Sequence, residues 1–226
     1  MRTDFGSSVM SGNAAVVEVG GDASAGAGSQ GGAVYVGYHD LATVVDTVFA
    51  SAQMVANAAT VNVSGDDAQG EIHAEGGAVK IEYISGAVNA STDFDAAVIA
   101  RSLASSHIAN HGASAQSTVR GGGVCVRFLA HASLSVSRWG RSRVLGNAAL
   151  ATGGGTQRGD GGGIYHSAVA GVRVLLSGSA VEGNVASTQG GALWAEHMIG
   201  GAAANLGMRV AYRGHPDWKP PFACAA

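Results

Sequence analysis

Acidic side chains able to converge on one groove are the residues of this chain with the most chemistry to offer. Cleaving a polysaccharide takes two or three carboxylates on one substrate face, with a basic group to offset charge. Gly65-Asp66-Asp67 and Asn110-His111-Gly112 form the best local pairing, and Glu71, Glu75 and Asp160 are further acids that an Arg could join in such a groove. The competing reading of Asp66-Asp67 is a turn that closes the Val-rich run before it. His107 and His111 stand four apart, a spacing that pairs metal ligands on a helix, but no neighbouring carboxylate completes the set. The Gly runs lack the Lys of a phosphate loop, and there is no Gly-x-Ser-x-Gly step. No catalytic residue, metal or cofactor is therefore assigned. Arg158-Gly159-Asp160 is an integrin-type tripeptide within a Gly-rich stretch.

These residues sit in a chain of unusual composition. It has 226 residues, of which 36 are Gly and only 3 Pro, with aromatics at 6% and charged residues at 13%. Ala and Val carry much of the 46% hydrophobic content, which argues against a disordered Gly-rich linker and for short, tightly turning strands. The net charge of -3, without basic blocks, excludes a nucleic-acid footprint. The Arg138, Arg141 and Arg143 group reads as solvated surface. Two cysteines, Cys125 and Cys224, are too few for a disulfide framework or a zinc site. No apolar run reaches the length of a transmembrane helix.

What positions everything is a repeat. Gly-Gly pairs begin at Gly31, Gly76, Gly121, Gly161 and Gly190, each followed by Ala or Gly and then by Val34, Val79, Val124, Ile164 or Leu193. An Asn step precedes each pair, at Asn13, Asn57, Asn110, Asn147 and Asn184. Alternation after each Gly-Gly predicts a strand. Its uniform aliphatic column should face a core. The mixed column after it, Tyr35, Lys80, Cys125, Tyr165 and Trp194, should face outward, and Tyr35, Tyr165 and Trp194 would then offer flat faces to a sugar ligand. Short strands recurring in this way predict an all-β fold, a right-handed parallel β-helix (β-solenoid), with two coils per repeat. The five asparagines would stack as a hydrogen-bonded ladder, and the Gly-Gly pairs would turn the opposite corner. Asp95 to Asn110 fits either a short helix or a pair of strands. Residues 1–196 are assigned to the repeats, and 197–226, where the motif stops and Pro216, Pro220 and Pro221 appear, to a cap or irregular tail. The N-terminus lacks the apolar core of a signal peptide, so the chain is either not secreted by that route or a piece of something longer. It also leaves little room for a cap, which favours a fragment of a longer solenoid.

The paired steps resemble the repeats of the polymorphic outer membrane proteins, whose signature is Gly-Gly-Ala plus an aliphatic residue with Phe-x-x-Asn nearby. Gly31–Val34, Gly76–Val79 and Gly190–Leu193 match the first motif in full, while the Asn steps carry Met, His or Val where the family has Phe. The resemblance spans roughly Met10 to Trp194. It implies a right-handed β-helix at the cell surface or outside the cell, acting non-catalytically in adhesion, with surface glycans or other cell-surface proteins as partners. The alternative function on the same fold is a polysaccharide lyase or glycoside hydrolase of the pectin-lyase-like kind.

Overall fold

The computed structural model describes residues 2–20, 26–38, 44–64, 70–83, 89–109, 115–128, 134–168 and 172–197. Within them the chain is all β, without a helix. The first turn of the chain contributes β1 (Arg2–Asp4), β2 (Val9–Ser11), β3 (Ala14–Val19), β4 (Ala27–Gln30) and β5 (Val34–Tyr38). The second contributes β6 (Val44–Val48), β7 (Gln53–Val55), β8 (Ala58–Val63), β9 (Glu71–Glu75) and β10 (Val79–Tyr83). The third contributes β11 (Asn89–Asp95), β12 (Val98–Ala100), β13 (Leu103–Ile108), β14 (Gln116–Arg120) and β15 (Val124–Phe128). In the fourth are β16 (Leu134–Gly140), β17 (Arg143–Leu145), β18 (Ala148–Gly153), β19 (Thr156–Asp160) and β20 (Ile164–Ala168). The last turn holds β21 (Val172–Ser177), β22 (Ala180–Glu182), β23 (Val185–Ala186) and β24 (Leu193–His197).

Each turn lends one strand to each of five parallel sheets: β1-β6-β11-β16-β21, β2-β7-β12-β17-β22, β3-β8-β13-β18-β23, β4-β9-β14-β19 and β5-β10-β15-β20-β24. The sheets stack in register, an arrangement consistent with a β-solenoid. The expectation of two coils per repeat is corrected: one repeat makes one coil. Three-residue strands such as β7 and β12, each ended by a positive-φ residue (Ala56 and Arg101), add corners and so use up the length of the repeat. The segment from Asp95 onward is strand, as β12 and β13, and not helix.

In-register stacking brings like residues together along the axis. Phe5, Phe49, Phe94 and Trp139 form one continuous aromatic stack, with centroids 4.7, 4.8 and 3.9 Å apart. The first two spacings equal the distance between neighbouring strands, so the register itself sets the stacking. Beside them, Tyr38 donates to Thr3 at 2.6 Å, and Thr47 lies 3.1 Å from both Tyr38 and Tyr83 hydroxyls, which partners polar groups inside the core. Val34, Val79, Val124 and Ile164 form the expected aliphatic column of the core.

The Asn ladder is present, with a serine as one rung. Asn13 donates its backbone N–H and its amide to Asn57 Oδ1, both at 3.0 Å. The backbone N–H of Asn57 points to Ser102 Oγ at 3.4 Å, and that of Ser102 donates to Asn147 Oδ1 at 2.9 Å. Asn147 in turn donates to Asn184. Ser102 is the rung between Asn57 and Asn147; Asn110 lies outside the described residues. Asn57, Asn147 and Asn184 also donate from Nδ2 to Met10, Ile99 and Val144 carbonyls of the preceding coil, at 3.0, 3.0 and 2.9 Å.

Candidate functional sites

The Gly-Gly corner explains the first of two polar sites. Gly76 has φ of 66°, and a Cβ on Gly77 would lie 2.1 Å from the Gly122 carbonyl and 2.5 Å from the Leu103 backbone. The corner is therefore pressed inward against neighbouring backbone. Consequently the outer faces of the strands on either side of it, β9 and β10, look toward one another. Glu75 and Lys80 flank the corner and form an ion pair across it.

This geometry overturns the expectation of a solvent-facing column. Tyr35, Lys80, Cys125, Tyr165 and Trp194 do align on adjacent strands. Tyr35 is 46% exposed and Trp194 partly so, but Lys80, Cys125 and Tyr165 are buried in the corner. Tyr165 lies under the Arg120 guanidinium, 5.4 Å from its ring centroid, so its face is already covered. Of the three residues proposed for a sugar, only Tyr35 and Trp194 retain exposed surface.

The corner holds a network of charges. Arg120 and Arg127 reach Glu75 Oε1 at 2.7 and 3.0 Å, and both Lys80 and Arg127 reach Glu82 at 3.4 Å. The Tyr35 hydroxyl donates to Glu82 at 3.3 Å. Burial pushes the Glu75 carboxyl up, yet Lys80, Arg127 and Arg120 outweigh it and bring it down to about 2. Burial pushes the neighbouring Cys125 thiol up to about 12, which leaves it unreactive as a nucleophile. Burial alone takes His166, in the adjoining strand, down to about 3. Sequence reasoning singled out Glu75 but not its partners. Lys80 is five residues on, across the Gly-Gly pair, and that spacing was the available signal.

The second site is an open groove on the outer face of the sheet β1-β6-β11-β16-β21. It encloses about 570 Å³ between Arg2, Asp46, Val48, Ser91, Asp93, Phe94, Asp95, Arg138 and Gly140. Register places Asp46 beside Ser91, and Asp93 beside both Val48 and Arg138. Arg138 Nη1 lies 3.3 Å from Asp93 Oδ1, Arg141 Nη2 lies 2.7 Å from Asp95 Oδ2, and Ser91 donates to Asp46. The acids of this groove are therefore not the ones the sequence pointed to.

The remaining candidates disperse. Asp66, Asp67 and His111 lie outside the described residues, as does Cys224. Glu71 is exposed and contacts His73 at 3.2 Å. His107 is exposed on β13, 3.1 Å from Thr152, and sits on a strand, where residues four apart do not pair as they do on a helix. Arg158-Gly159-Asp160 is part of β19, with Asp160 fully buried and paired to Arg158, so the tripeptide is not a displayed loop. Among the described residues no group of three or more His, Cys, Asp or Glu is placed to hold a metal ion. No helix among them is long and apolar enough to cross a membrane.

Comparison with known proteins gives no matching family model, no matching curated protein and no matching solved structure.

Proposed function

We propose that this chain is a non-catalytic structural and adhesive module of the cell surface or extracellular space, built as a right-handed parallel β-helix. Its partners are surface glycans or other cell-surface proteins. The observation that carries the reading is the state of the carboxylates. Glu75 is a permanent anion, held by three cations, whereas a general acid needs a carboxyl raised toward neutral pH. Glu82, Asp93, Asp95 and Asp160 also lie against cations, and Asp46 accepts from Ser91. The ion pairs of Glu75, Glu82, Asp93 and Asp95 with arginines of the next coil hold neighbouring coils together. The stacked Asn and aromatic ladders fit the same purpose, a stiff scaffold. The test is incubation with a panel of neutral and acidic polysaccharides. The expected outcome is no new reducing ends and no unsaturated products, together with retention of protein-coated beads on cells. Depolymerisation of any substrate would overturn the reading.

The groove favours a second reading, a glycoside hydrolase. Asp93 and Asp95 stand two residues apart on the same face of β11 and both line the groove, so one groove holds the two carboxyls that glycoside hydrolysis needs. Product formation that disappears in Asp93→Asn would establish it.

A further inference from the structure

We infer that the groove on the β1-β6-β11-β16-β21 sheet is a binding site for neutral oligosaccharides. The inference rests on the adhesive reading and gives it a location and a ligand class. Acceptors and donors alternate along the groove: Asp46, Asp93 and Asp95 supply carboxylate oxygens, Arg2 and Arg138 supply guanidinium N–H groups, and Ser91 is placed beside Asp46. A sugar hydroxyl both donates and accepts, so neighbouring hydroxyls on one ring can each meet a carboxylate and a guanidinium. The Arg138 contacts to Asp93 are long, 3.3 and 3.5 Å, which leaves the lone pairs of that carboxylate available to a ligand. Val48 supplies apolar surface against which the C–H face of a ring can rest. The volume of about 570 Å³ falls in the range of small-ligand sites, roughly 300–1,000 Å³.

Other occupants fit less well. Three carboxylates repel a polyanion, whether nucleic acid or an acidic glycan. Among the described residues no group of three or more His, Cys, Asp or Glu is placed to hold a metal ion. Gly140 keeps the floor open, since a Cβ there would lie 2.7 Å from Asp95 Oδ1.

The experiment is titration calorimetry of the purified chain with neutral oligosaccharides of the cello, malto, manno and galacto series, and with oligogalacturonate as the acidic arm. Saturable binding of at least one neutral series is expected, weakened about tenfold or more in Asp93→Ala and in Arg138→Ala, as the loss of a charge-assisted hydrogen bond requires. Val16→Ser, at an exposed position on β3 outside the groove, should leave it unchanged. Thermal midpoints identify any variant that fails to fold. Ser91→Trp, which fills the groove without removing a charge, should then abolish binding and keeps the test decisive. Three results overturn the inference: no neutral series binds, only oligogalacturonate binds, or binding survives all three groove substitutions. Bead adhesion is read separately. Lost adhesion with intact sugar binding removes the adhesive reading and leaves the groove standing.

Discussion

Asn147 donates its backbone N–H and its side-chain amide to a single acceptor, Asn184 Oδ1, each at 2.9 Å. The same amide donates to the Ile99 carbonyl at 3.0 Å, and its own Oδ1 accepts from Ser102 at 2.9 Å. One fully buried side chain therefore ties three consecutive coils together. Asn147→Ala leaves these partners unsatisfied in the interior, which costs about 1–3 kcal/mol. Denaturant unfolding of the variant against the parent checks the value. An unchanged midpoint would remove the ladder as a source of stability.

The ladder also shows what the sequence made legible. Four rungs were readable because they are asparagines in an Asn-x-Ala or Asn-Ala setting. The third was not, because Ser102 replaces the amide with a hydroxyl and the asparagine in that part of the chain is Asn110. The repeat length held the correct answer: Asn57, Ser102 and Asn147 are evenly spaced by 45 residues. The parallel strands after each Gly-Gly were legible for a similar reason, since their aliphatic column is uniform. The coil count was not, because three-residue strands carry too few alternations to be seen as separate elements. Nor was the corner network legible. Alternation alone assigns Lys80 and Cys125 to solvent, and only the inward turn at Gly76-Gly77 folds that face onto Glu75. The groove depended on pairing between coils, since Asp46 and Asp93 lie on different strands and meet only through register.

Glu75 makes stability depend on acid. Its carboxyl is held at about 2 in the fold, below the ordinary value of 4.5, so the unfolded chain binds the proton more readily. The stabilisation is complete above pH 4.5 and is lost as pH falls through about 2. The shift corresponds to about 3 kcal/mol, since each pKa unit is about 1.4 kcal/mol. Urea midpoints measured across this interval should fall steeply in the parent and less steeply in Glu75→Gln. That variant should also be less stable at neutral pH, because Lys80 remains buried and Arg127 half-buried with less opposing charge.

His166 acts in a higher window. Burial lowers it to about 3 from an ordinary 6.5, so between these values the unfolded chain takes up a proton that the folded chain does not. Stability attributable to this residue is intact above pH 6.5 and declines as pH drops toward about 3. Its register neighbours on the adjoining strands are Val126 and Ala195. His166→Val should therefore flatten the pH dependence of the unfolding midpoint between these limits, whatever its effect at neutral pH. A slope equal to that of the parent would show that the imidazole is protonated in the fold.

Two glycines separate close approach from backbone angle. Gly77 is confronted by the Gly122 carbonyl, 2.1 Å from the place a Cβ would take, and by the Leu103 backbone. Neither can withdraw without breaking the register of two sheets, so Gly77→Ala should cost more than about 4 kcal/mol, at the extreme of single substitutions. Gly12 also turns a corner, with φ of 68°, but nothing lies within 4 Å of its would-be Cβ. Gly12→Ala then carries only the left-handed backbone cost of about 1–2 kcal/mol. The neighbouring coils show that the fold bears such a cost, because Ala56 and Arg101 hold φ of 55° and 54° at the equivalent corners. Thermal unfolding of the two variants side by side should give a small loss for Gly12→Ala and little folded protein for Gly77→Ala. A small loss for both would mean that the Gly122 and Leu103 backbones yield to a Cβ at Gly77, so that close approach is not what the corner requires.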